Sequence, residues 1–440
     1  MPSSVPATPL ATTGAALGPA ELQQLRDHPQ VVGLGEVMDF PGVIAGRSRL
    51  LAEIALFRGQ AVDGHCPGLT GAGLQAYAAA GISSDHESTT IAEARAKLRC
   101  GMRLFLREGS AAHNLMDLLP LLNRYNERWL SLCTDDLHPA DLLEKGAIDH
   151  LVRLAVAAGV PPITALRLAT LNPAEHYRLE DRGLIAPGRR ADLLVVDSLE
   201  AFSPVAVYQA GRLVAEDGRL LTGGQGQQIA VGPANSVQVD WRRLDLAIPA
   251  QGRRMRTIGM VQGQLVTECR IMPARIVNGQ ALADPARDLL KMAVIERHRA
   301  SGRTGLGFVT GLGLQRGAMA STVAHDHHNL MVIGADDRSM LTAARAVATA
   351  GGGQAVTLGE EVLALLPLPI AGLMSERPIE EVAAAVSRLT AAARQLGCSL
   401  AAPFMDMSFL GLEVIPALKL TDRGLVQVEN MELVPLFLKE

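Results

Sequence analysis

The chain has 440 residues, a formal net charge of −4, 48% hydrophobic residues and only 3% aromatic ones, so two or three domains with aliphatic cores are expected. No basic stripe with interleaved aromatics is present, which excludes a nucleic-acid surface, and no uncharged apolar run of about 18 residues offers a membrane span. Five scattered cysteines without a CxxC pair read as reduced thiols, and the N-terminal stretch lacks the basic and apolar regions of a signal peptide, so the expected compartment is the cytoplasm.

In chain order, "VVGLGEVMDFPG" (31–42) predicts a strand and "SRLLAEIALFRG" a helix. The strand "QAVDGHCPGL" (60–69) and the helix "TGAGLQAYAAAG" form the next unit. "ISSDHES" with "TTIAEARAKLRCG", "MRLFLREGS" with "AAHNLMDLLPLLNRY", and "WLSLCTDD" with "PADLLEKGAIDHLVRLAVAAG" complete five strand–helix units. Such a series predicts an α/β fold with parallel strands joined by right-handed crossovers. The polar residues Glu36, His65, Asp85-His86-Glu87, Arg107-Glu108 and Asp135-Asp136 each fall at or just past a strand's C-terminal end. That placement favours a (β/α) barrel, whose strand ends converge on one mouth, over a doubly wound sheet.

Beyond residue 160, "PPITALRLATLNPAEHYRL" predicts a helix, and "GLIAPGRRADLLVVDSL" with "PVAVYQAGRLVAEDGRLL" a small β-rich portion. A Gly/Gln-rich linker (222–235) then leads to an α+β region. There "TIGMVQGQLVTECRIM" predicts strands, while "ADPARDLLKMAVIERHRA" and "IEEVAAAVSRLTAAARQLG" predict helices. The expected domains are 1–178, 179–235 and 236–440.

Glu36, His65, His86 and Asp135 come from four different strands and would suit one or two divalent ions, with Asp135 holding or accepting the proton of an activated water. Simpler roles compete. Ser88 or Thr89 would cap the helix that follows "SDHES", and one of Asp135 and Asp136 would cap the helix that follows them. His113 reads as a structural residue within a helix, and Glu108 as a residue of the mouth or a partner of Arg107. Glu108, Ser110 and Asp136 are candidates for substrate contact. In "STVAHDHHNLMVIG" (321–334), His325 and His327 suit a polar turn between strands or a substrate-side role better than a metal site. "GRTGLGFVTGLGLQRG" matches neither dinucleotide nor P-loop patterns.

"GLIAPGRRADLLVVD" resembles the segment that follows the barrel in metal-dependent amidohydrolases. "PSSVPATPLATTGA", "GLGEVMDFPGV", "DGHCPGL", "SSDHEST", "REGSAAHNL" and "CTDDLHP" resemble the adenine deaminase family in particular. So do "STVAHDHHNL", "LPLPIAGLMS" and "PFMDMSFLGLEVIPALKLTDRGLV" near the C-terminus, and the likeness covers nearly the whole chain. The resemblance implies hydrolytic deamination of adenine to hypoxanthine and ammonia for purine salvage, with Mn2+ or Fe2+. It implies Glu36 as the carboxylate that replaces the bridging lysine of other amidohydrolases, His65 and His86 as ligands, and Asp135 as the late-strand Asp, while an incomplete barrel would favour association into a homo-oligomer. His86, Glu87 and Asp135 are then the catalytic candidates, with Glu87 moving protons at the purine ring. The family's first-strand His-x-His pair has no counterpart, since His28 is the one histidine before Glu36. The resemblance therefore implies a barrel incomplete at its N-terminus and a small β-sandwich portion. Alternative readings are an amidohydrolase for another purine or a cyclic amide, or a non-catalytic remnant.

Overall fold

The computed structural model describes residues 1–3, 5–221, 236–262 and 264–439, and the expected linker at 222–235 lies outside them. The chain divides into two compact units: Met1–Ser4 with Leu17–Ile229, and Val5–Ala16 with Ala230–Glu440.

In the first unit, β1 (Gly33–Val37), β2 (Ala61–Gly64), β3 (Ser84–Asp85), β4 (Arg103–Arg107) and β5 (Leu130–Cys133) form one parallel sheet in the order β1-β2-β3-β4-β5. Sequence neighbours are spatial neighbours throughout, so the order never reverses and no switch point of the doubly wound kind arises. The crossovers include helices Ser48–Leu56, Gly71–Ala79 and Ile91–Arg99. Leu34, Val37, Ile54, Phe57, Val62, Leu74, Tyr77 and Met102 pack one cluster. Leu104, Leu106, Leu130, Leu132, Leu151 and Leu168 pack a second. Along the edge of β1, the Met1 ammonium donates to Gly33 O and Gly35 N donates to Met1 O at 2.8 Å.

Several local expectations are corrected. The cap of Ile91–Arg99 is Thr90, whose hydroxyl accepts from Glu93 N, and not Ser88 or Thr89; Ser88 Oγ instead donates to Asp85. Neither Asp135 nor Asp136 caps helix Pro139–Lys145, which begins after His138 with no side-chain cap. His113 precedes helix Leu115–Leu118 rather than lying within it. The helix expected over 161–179 is two, Pro162–Ala169 and Leu171–His176, separated at Thr170. An antiparallel sheet of β6 (Leu193–Val196), β7 (Pro204–Gln209), β8 (Arg212–Glu216) and β9 (Arg219–Leu220) follows in that order.

The second unit contains β10 (Arg254–Met260), β11 (Thr267–Pro273), β12 (Arg275–Val277), β13 (Gln280–Leu282), β14 (Leu290–Ile295), β15 (Thr304–Thr310), β16 (Ala318–Ser321), β17 (Leu330–Gly334), β18 (Gly353–Leu358) and β19 (Glu361–Pro367). Eight of these form a mixed sheet in the order β11-β10-β15-β14-β17-β16-β18-β19, in which only β10–β15 pair in parallel. Helices Asp337–Thr349 and Ile379–Gln395 bury Met340, Ala343, Val347 and Val386, Leu389, Ala393 respectively in its cores.

The sequence reading of 283–300 as a helix is wrong. Its centre is β14, a strand buried at every position between β15 and β17. Lys291, within that strand, is buried, donating to Leu246 O and to Asp337. The histidines of 325–328 sit in the turn between the antiparallel strands β16 and β17. Among the described residues no helix is long and apolar enough to cross a membrane.

Candidate metal centre

Alternation along parallel strands sends residues two apart to the same face. Asp63, Ser84, Phe105 and Cys133 therefore share one face with His65, His86, Arg107 and Asp135, the upper layer, which lies two residues further along at the C-terminal ends of β2 to β5. Glu36 completes the upper layer from β1.

The upper layer converges. His86 Nε2 lies 2.9 Å from Glu36 Oε2, 3.4 Å from Glu87 Oε1 and 3.9 Å from Asp135 Oδ2. His65 Nδ1 lies 3.6 Å from both Glu36 and Glu87. Ligand atoms of Glu36, His65 and His86 fall within 4.8 Å of one another, as do those of His86, Glu87 and Asp135. Both triplets share His86. A cavity of about 440 Å³ beside them is lined by Glu36, His86 and Asp135 together with Asp63, Ser84 and Phe105.

Burial disfavours a charged imidazole, but the carboxylates, Glu36 first, outweigh it and push His86 up to about 10. His65 is raised likewise, burial being opposed by Glu87 and Glu36. Burial would raise Glu36, yet His86 and His65 hold it well below the usual carboxylate range. The Cys133 thiol is pushed up by burial, so it stays protonated and offers no thiolate.

A divalent ion fits this donor set. Both ring nitrogens of the buried His65 lack a hydrogen-bond partner, a costly state that coordination by a ring lone pair would relieve. Imidazole with carboxylate oxygen suits a borderline-hard transition ion, and the two overlapping triplets give room for one ion or a pair.

Arg107 was placed at a strand end from sequence but given no role in the site. Its Nη1 donates to Glu87 Oε1 and, at 2.9 Å, to Asp135 Oδ2, while Nη2 donates to Asn114. The signal was available: an arginine at the end of the apolar strand "RLFLR" needs a carboxylate partner to be buried. Tyr77 was missed as well. Its hydroxyl, on helix Gly71–Ala79, donates to Val37 O at 2.6 Å and accepts from His65 N at 3.1 Å, tying the ends of β1 and β2.

The remaining sequence candidates lie outside the convergence. Glu108 does not pair with Arg107; it bonds His113 Nδ1 at 2.8 Å and Leu115 N. Ser110 Oγ donates to Asp141 and accepts from His138 N. Asp136 accepts from Ser110 N through its backbone carbonyl. These bonds knit the loops after β4 and β5. His325 and His327 belong to the second unit. His325 stacks on Phe409 with ring centres 4.8 Å apart, and burial drives His327 down to about 3.

A model of the amidohydrolase family matches residues 18–214, and one of the adenine deaminase C-terminal domain matches residues 264–432. The adenine deaminase of Desulfatibacillum aliphaticivorans is 48% identical over 444 residues, covering 99% of this chain and 77% of that protein. Adenine deaminase 2 of Carboxydothermus hydrogenoformans is 46% identical, covering 100% and 77%. Among solved structures, N-acetyl-D-glucosamine-6-phosphate deacetylase from Mycobacterium smegmatis is 21% identical with a TM-score of 0.35, covering 46% of this chain and 60% of that one.

Proposed function

This chain belongs to the adenine deaminase family of amidohydrolases, and we propose that it converts adenine and water to hypoxanthine and ammonia. The observation that carries the reading is the convergence of Glu36, His65, His86 and Asp135 from four parallel strand ends, three of them lining one cavity. The family implies a divalent ion, and we assign Glu36, His65, His86 and Asp135 as its holders, with Mn2+ or Fe2+ as the expected metal. When bound, such an ion lowers the pKa of a water and polarises the bond under attack.

The chain's own groups supply the rest. Asp135, at the rim of the cavity, is placed to take the proton of the attacking water and return it to the departing amine. Glu87 stands beside His86 and is placed to deliver a proton to a ring nitrogen of the purine as the carbon beside it becomes tetrahedral. Arg107 bridges Glu87 and Asp135, fixing how the two carboxylates stand relative to each other.

Glu108, Ser110 and Asp136 act in this reading at the rim. The first-unit sheet is read as an arc of an incomplete (β/α) barrel, and the domain division as 1–178, 179–235 and 236–440. Five unpaired thiols suit a cytoplasmic setting, the adenine deaminase relatives suit purine salvage, and the open sheet suits a homo-oligomer.

The test is ammonia release from adenine by the Mn2+-loaded protein, wild type against Asp135→Asn and His86→Asn. Activity in the wild type that both substitutions abolish is expected. A loaded, folded wild type that releases no ammonia from adenine overturns the assignment.

A further inference from the structure

Behind the convergent layer lies a second group of charges that touches neither the cavity nor the proposed ligand atoms. Asp85, Lys97 and Glu93 are buried together, with Lys97 and Asp85 wholly inaccessible. Lys97 Nζ, from helix Ile91–Arg99, donates to Asp85 Oδ2 at 2.6 Å and to Glu93 Oε1 at 2.8 Å. Replacing such a group by well-packed apolar side chains is commonly neutral or stabilising, so stability alone does not account for it. The other bonds show what it does.

Asp85 accepts from Cys66 N at 3.0 Å and from the Cys66 thiol, both in the loop directly after His65. It also accepts from Glu87 N at 3.0 Å and Ser88 Oγ at 3.1 Å, in the loop directly after His86. Glu93 repeats the pattern one turn further out, accepting from Gly68 N at 2.8 Å and Thr89 N at 3.2 Å. Apart from Lys97, every donor to these two carboxylates comes from one of the two loops that present His65 and His86.

We infer that the Asp85–Lys97–Glu93 cluster is a positioning device that locks the His65 and His86 loops together and thereby sets the spacing of the metal centre. The inference rests on the metal-centre reading above. Lys97 holds the carboxylates where they meet both loops, and the carboxylates hold the backbone on which the imidazoles are carried. None of the three is a catalytic residue.

Two measurements on Asp85→Asn, an isostere that loses the charge, test this. In the metal-free protein, hydrogen exchange reads the tie directly. Protection at Cys66, Gly68, Glu87 and Thr89 should fall together, while helix Ser48–Leu56 keeps its own. Mn2+ titration with EPR detection should then show affinity lowered roughly 10–100-fold, the range for groups that orient ligands from outside the coordination shell, with an altered spectrum. If Asp85→Asn does not fold, Glu93→Gln removes only the outer ties and should give the same paired loss at Gly68 and Thr89. A variant whose two loops keep wild-type protection, or in which only one loosens, overturns the device, as does wild-type Mn2+ affinity. A wild type that binds no Mn2+ overturns the metal-centre reading instead, and the exchange experiment still decides the coupling of the loops.

Discussion

Replacing Tyr77 by Phe removes one oxygen and leaves the ring in place. That oxygen is wholly buried, donates to Val37 O at 2.6 Å and accepts from His65 N at 3.1 Å. A side chain at Gly64 would meet it at 2.9 Å, so the packing leaves little room for a water to take its place. Two net hydrogen bonds at about 1 kcal/mol each are lost, and a backbone N–H and a carbonyl are left in a dry interior, each costing about 1–3 kcal/mol if unmatched. Partial relaxation of strand ends should hold the total to about 2–4 kcal/mol. Trp129 lies in the first unit and Trp241 in the second. A Trp241→Phe background therefore lets tryptophan fluorescence follow urea unfolding of the first unit alone. A fall in its midpoint equivalent to at least 2 kcal/mol at unchanged slope is expected. A loss below about 0.5 kcal/mol, the level of an indifferent surface change, would show that the hydroxyl does not clamp the ends of β1 and β2.

Arg107→Met leaves the buried Glu87 without its guanidinium partner and should destabilise the first unit by about 3–5 kcal/mol, read by the same urea assay; adding Glu87→Gln should recover much of that loss, and no recovery would refute the pairing. In the second unit, burial drives Glu413 up to about 7. A carboxyl raised in the fold favours the folded state most at low pH, and that contribution fades as pH climbs through the window from its unfolded value to about 7. His327, lowered by burial, works in the opposite sense below its unfolded value, so the informative quantity is wild type minus Glu413→Gln. Between pH 5 and 7 the wild type should lose stability relative to the variant, and equal slopes in urea midpoint would refute a neutral, buried Glu413.

The upper layer was legible because strand ends announce themselves: an apolar run, then a polar residue, five times in succession. Glu36, His65, His86 and Asp135 were readable from that rhythm, and the structure brings those four side chains to one place. The residues that support them were not, because their sequence context is ordinary. Tyr77 lies in an alanine-rich helix and Lys97 in a charged one, where an aromatic reads as core and a lysine as solvated surface. Periodicity reports which face of a helix is buried and says nothing of a single polar atom passing through that face to a strand end. β14 failed for the related reason that a buried lysine looks exposed when its acceptors, Leu246 O and Asp337, are distant in sequence.

That asymmetry bears on how the centre would hold an ion. His65, His86 and Asp135 extend from the loops just past their strands, and loops by themselves fix an imidazole poorly. Here each loop is tied from behind: His65 through its own N–H to Tyr77 and through Cys66 N to Asp85, His86 through Glu87 N to the same carboxylate. Glu36 shares the first tie through Val37 O. Three of the four proposed ligands therefore stand on a single hydrogen-bonded frame, whereas the Asp135 carboxylate meets it through a hydrogen bond from Arg107 and a longer approach to His86. A less constrained carboxylate is the one best suited to move a proton between water and a leaving amine, while the other three keep their spacing. Loosening the frame should consequently harm ion binding before chemistry, and substituting Asp135 should do the reverse.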